Sequence, residues 1–168
     1  MSERDFYIRL GGTLLLALSA SSVLTTTAGM KGLLAGAFTL SALVLLRSAE
    51  TSSRKEGRDD RMKVALVSTT VLYELVLLVG AASLAGKFVS VLAVAAVSFS
   101  ELLHVETQQR LKQSFTPDIG REGRVSILAF AFAGYSFNSW ILFYGLAFIA
   151  LLAIYDSLAL LHRLRTGL

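Results

Sequence analysis

A chain of 168 residues that is 54% hydrophobic, with a mean hydropathy of +0.64, is too apolar for a soluble domain of its size. It has no cysteine, which excludes disulfides, thiolate metal sites and cysteine nucleophiles. The formal charge of +4 would suit nucleic acid, but the basic residues are not spread over a face: fourteen of the sixteen fall in four short segments between apolar stretches. That pattern argues for a membrane and against a nucleic-acid partner.

The elements follow from apolar runs of the length that a bilayer core demands, about twenty helical residues. The first run predicts a helix over about 6–28, after Arg4 and Arg9. It lacks a convincing signal-cleavage site and is expected to be retained as a span. A second helix is expected over 31–47, opening with Gly32-Leu-Leu-Ala-Gly36. This GxxxG suits close helix packing inside the bundle in the first place and a homodimer face in the second. Residues 53–63, SRKEGRDDRMK, carry eight charges in eleven positions and break the apolar pattern.

A third helix over 63–85 ends in GAASLAG, and a fourth over 87–112 runs out of the membrane toward Arg110 and Lys112. The only proline, Pro117, lies in the following loop. The last apolar tract, 125–161, is too long for one span and divides near SFNSW into helices at about 124–137 and 140–162. Tyr135 and Trp140 suit the outer interface, where amphipathic rings settle. The expected fold class is therefore all-α, a polytopic six-transmembrane-helix bundle forming a single domain over 1–168. Both termini are expected in the cytoplasm of a multi-pass cell-membrane protein, because that arrangement puts all four basic segments inside and only Lys31 and Lys87 outside.

Three acids fall within the spans, where ionisable groups are costly and turn toward the bundle interior. Glu74 in VLYELVLL is the deepest, and either function or internal pairing would explain it. Glu101 and Asp156 lie nearer the inner ends of their helices, where a structural role or solvation is expected. Glu101-Leu-Leu-His104 has the E-x-x-H spacing of a di-iron bundle, but no second copy exists to complete such a site. No Ser or Thr nucleophile set and no glycine-rich phosphate loop occurs. At the inner surface, Glu56, Asp59 and Asp60 lie among arginines, and Gly120-Arg-Glu-Gly-Arg124 opens the fifth helix. Carboxylates beside arginines there suit a metal-bound or arginine-held phosphate from a lipid or nucleotide, or else a solvated loop that sets topology.

Six helices, a charged knot between the second and third, the Gly120-to-Arg124 start of the fifth, and the final basic turn YDSLALLHRLR resemble the CDP-alcohol phosphatidyltransferase family. The resemblance implies a CDP-linked lipid bound with a divalent metal such as Mg2+ between the second and third helices, and transfer of a phosphatidyl-type group to an alcohol. It also implies Glu56 and Asp60 as metal ligands and Arg61, Arg121 and Arg124 as phosphate-holding groups.

The family signature D-x2-D-G-x2-A-R-x8-G-x3-D-x3-D is not kept. With Asp60 on the last Asp, Glu56 meets the one before it, but Ser52 replaces the Gly, Leu43 the Arg, and the second helix has no acid. With so few carboxylates the family's metal site and base cannot be assembled. The expectation is a divergent, non-catalytic relative that binds anionic lipid head groups or a CDP-lipid and pairs with an active relative or another membrane protein. The alternative is a small-molecule transporter or the substrate-binding membrane subunit of an importer, with Glu74 and Asp156 lining a central cavity.

Overall fold

The computed structural model describes residues 3–26, 30–55, 60–111 and 120–166, with the backbone alone for 52–55, 60, 63, 108–111 and 121. They form six helices: α1 Glu3–Leu24, α2 Lys31–Lys55, α3 Asp60–Ala85, α4 Lys87–Leu111, α5 Arg121–Tyr135 and α6 Ser139–Thr166. No strand occurs among the described residues. Five of the helices are long and apolar enough to cross a membrane, and α5, with 15 residues, is the exception.

Two boundaries differ from expectation for one reason. α2 runs on to Lys55 rather than stopping near 47, and α6 to Thr166 rather than 162. Hydropathy marks where a helix leaves the apolar layer, whereas a helix ends where its backbone is broken. Neither Ala49–Lys55 nor Arg163–Thr166 contains a glycine or proline to break it. α1, conversely, ends at Leu24, where Thr25 and Thr26 turn their backbone N–H groups and hydroxyls back onto the carbonyls of Ser22 and Val23.

The corners are set by local chemistry. Gly86 alone joins α3 to α4 with φ of 96°, a left-handed conformation that a side chain would strain. Between α5 and α6, Asn138 caps the new helix by accepting the Trp140 N–H at 3.0 Å on its Oδ1. Within the apolar helices, hydroxyls are satisfied by the preceding turn: Thr39 donates to Ala35 O, Thr107 to Leu103 O and Ser157 to Ala153 O.

Packing closes the helices into a ring in the order α1, α2, α5, α6, α4, α3, with α3 also touching α6 and α2. Small residues set the close approaches. A Cβ on Gly32 would meet Phe132 O at 2.1 Å and one on Gly36 would meet Ala129 O at 2.8 Å, so the GxxxG of α2 is used against α5 within the chain. Gly80 of α3 receives Ser21 of α1 in the same way, and Gly145 of α6 receives Ala131 of α5. α5 lies antiparallel to α2, because its end meets Gly32 while Glu122 at its start binds Arg47. The short helix thus accompanies the apolar part of α2 from end to end. Tyr73, Leu77, Leu78, Phe132, Leu142 and Leu146 fill the centre.

Candidate functional site

α5 begins at a Gly120 in extended conformation, whose carbonyl accepts the N–H groups of Gly123 and Arg124. This first turn aims Arg124 into the ring rather than outward, and the side chain is 2% exposed. Three carboxylates from three other helices meet it. Nε donates to Glu74 Oε1 of α3 at 2.8 Å and Nη2 to Glu74 Oε2 at 3.3 Å, a two-point grip. Nη2 also donates to Glu101 Oε1 of α4 at 2.7 Å, while Nη1 reaches Asp156 Oδ2 of α6 at 3.4 Å. By distance Glu74 and Glu101 are the principal partners and Asp156 the weaker one.

Only arginine can serve this arrangement. Its five N–H donors lie in one rigid plane, whereas a lysine ammonium would offer a single point to three acids. Helical rise puts Arg124 about 16 Å from the end of α5 at Tyr135 and Glu74 about 16 Å from the end of α3 at Ala85. Glu101 and Asp156 lie about 21 and 25 Å from the starts of α4 and α6. The cluster therefore reaches from the middle of an apolar layer about 30 Å thick, at Glu74, toward one edge of it, at Asp156, and charge there is costly unless each group is held by its opposite.

Next to Glu74, the buried Tyr73 hydroxyl donates to Thr39 O at 2.7 Å and ties α3 to α2. Nothing singled out this residue in the sequence. The available signal was a phenol in an otherwise apolar run, which must find an acceptor when it is buried. The sequence also left Arg47–Glu122 unremarked: Arg47 Nε donates to Glu122 Oε1 at 2.9 Å, and a second contact runs from Nη2 to Oε2 at 2.5 Å. This pair joins the polar end of α2 to the start of α5.

The structure brings together Glu74, Glu101, Asp156 and Arg124, and it gives Arg124's donors to carboxylates. Glu101 and Asp156 are buried, so solvation does not describe either of them. Arg61 is exposed in the first turn of α3, about 20 Å along that helix from Glu74, so it does not join the Arg124 cluster. Asp60 opens α3 and Arg121 opens α5, but their side chains, like Glu56 as a whole, lie outside the described residues.

Among the described residues no three His, Asp or Glu side chains are grouped so as to hold a metal ion, the E-x-x-H pair at Glu101 and His104 included. The side chains of Glu56 and Asp60, the metal ligands that the resemblance implies, are not among the described ones. No protein-family model matches the chain, and no curated protein matches it.

Proposed function

We propose that this chain is a six-helix membrane protein that binds an anionic head group or nucleotide-linked lipid at the end of the bundle where α2 finishes and α3 and α5 begin. In this reading it is a non-catalytic relative of the CDP-alcohol phosphatidyltransferases, and α5 completes a sixth crossing beside α2. That end faces the cytoplasm, because the basic segments gather there. The observation that carries the reading is the Arg47–Glu122 pair, which unites the two polar inner segments at one surface. Arg61 lies exposed at the same end, and Arg121 begins α5, where the helix N-terminus itself favours an anion. Arg124 acts beneath them, holding α5 in place through its carboxylates.

The test is binding of CDP and of phosphatidylglycerol to the purified protein, with and without Mg2+, alongside assay of CMP release. The expected result is saturable anion binding that weakens in Arg61→Gln and Arg121→Gln, with no CMP released above a protein-free control. Binding unchanged in both variants would overturn the site, and CMP release lost in Asp60→Asn would overturn the non-catalytic reading.

A second reading, a small-molecule or ion carrier, is favoured by the charged cluster at mid-depth around Glu74. Proton flux into proteoliposomes under an imposed potential, read by a trapped pH dye and abolished in Glu74→Gln, would support it over the first.

A further inference from the structure

A groove of about 450 Å³ runs along the outer face of the α1–α2 seam, lined by Leu16 of α1 and by Leu40, Ser41, Val44 and Leu45 of α2. All five lie within apolar stretches long enough to span a membrane, and Val44 is 67% exposed, so the groove faces whatever surrounds the bundle. On α1, Leu16 shares its stripe with Gly12 and Arg9, four and seven positions earlier; on α2, Leu40 and Val44 share theirs with Ser48. The groove and the Arg9–Ser48 contact are thus successive parts of one seam.

Between them Gly12 lies close to α2, where a Cβ would press on Leu45 Cδ1 at 3.3 Å. Above it Arg9 is half-buried and Nη1 donates to the Ser48 hydroxyl. Ser48 is a neutral partner and adds no carboxylate to the guanidinium. By helical rise the guanidinium's helix position lies about 10 Å beyond Leu16, toward the end of the bundle.

We infer that the α1–α2 seam is a binding site for one anionic phospholipid, with an acyl chain in the Leu16–Leu40–Val44 groove and the phosphate on Arg9. The occupant follows from the chemistry. The medium around an apolar span supplies acyl chains, the groove is apolar, and a cation stands over its polar end at the depth where a head group begins. A guanidinium, with its fork of N–H donors, suits a phosphate in particular. The site lies on the outside of the ring and is separate from the inner-surface site proposed above.

The experiment is native mass spectrometry of the full-length protein in detergent, titrated with phosphatidylglycerol and with phosphatidylcholine of the same acyl chains. The expected result is preferential retention of one phosphatidylglycerol, and a preference lowered roughly fivefold in Arg9→Gln, the weight of one basic residue at an anionic surface. Arg9→Lys should keep much of the preference. Ser41→Phe, which fills the groove and leaves Arg9 in place, should lower retention of both lipids. Equal retention of the two lipids by the unaltered protein, or a preference that survives Arg9→Gln, would overturn the inference. A preference lost in Arg61→Gln and kept in Arg9→Gln would also overturn it, while leaving the inner-surface site standing.

Discussion

Arg124 is buried among three carboxylates, so its truncation has a large cost. Removing a guanidinium that holds Glu74, Glu101 and Asp156 leaves three carboxylates in an apolar interior without it, and breaking a buried ion pair in this way costs about 3–5 kcal/mol. Arg124→Ala is therefore expected to lower the thermal midpoint of the detergent-solubilised protein sharply. Glu101→Gln, which keeps an acceptor oxygen for Nη2, should cost much less. Arg124→Lys should fall between the two, since an ammonium keeps the charge and loses the fork. Equal midpoints for Arg124→Ala and the unaltered protein would mean that the cluster contributes nothing to the fold's stability.

Helix pairing in this chain depends on backbone proximity at a few glycines. A methyl group on Gly32 would overlap Phe132 O, a backbone atom that cannot rotate away, and one on Gly36 would crowd Ala129 O. Gly11 offers a control, since its added Cβ would meet nothing within 4 Å. Gly32→Ala is expected to cost about 1–3 kcal/mol as overpacking, with Gly36→Ala on the same scale but smaller. Gly11→Ala should be neutral or slightly stabilising through helix propensity. The readout is unfolding in a denaturing-detergent titration. If Gly32→Ala and Gly11→Ala unfold together, close α2–α5 contact is not what holds these helices.

For the molecule as a whole, orientation follows from where the cations lie. Single cysteines placed at Ser53 and Gln113 should react in intact cells with membrane-permeant maleimides alone. One at Ser139, where α6 begins next to the exposed Phe137 and Trp140, should react with an impermeant reagent added outside. Outside labelling at position 53 would invert the assignment and place the Arg47–Glu122 surface on the far side of the membrane. The same result would remove the cytoplasmic CDP-lipid from consideration as a ligand.

Six helices and the membrane class were legible because each rests on local composition, namely apolar runs near twenty residues, charged interruptions and a split tract at SFNSW, whereas the ends of α1, α2 and α6 were not. Glu74, Glu101 and Asp156 could each be picked out, since a charge in an apolar run is conspicuous wherever it occurs, whereas Arg124 stood out only as part of the basic segment that opens the fifth helix. Their meeting could not be read, because they come from four helices and Arg124 is 50, 23 and 32 positions from its three partners. Nor could the ring order α1, α2, α5, α6, α4, α3. A helix that is apolar on every side gives no hydropathic sign of which face meets protein and which meets lipid. The choice falls to shape, such as a glycine opposite a backbone carbonyl or Ser21 in the notch at Gly80, and shape of that kind exists only once two helices are set side by side.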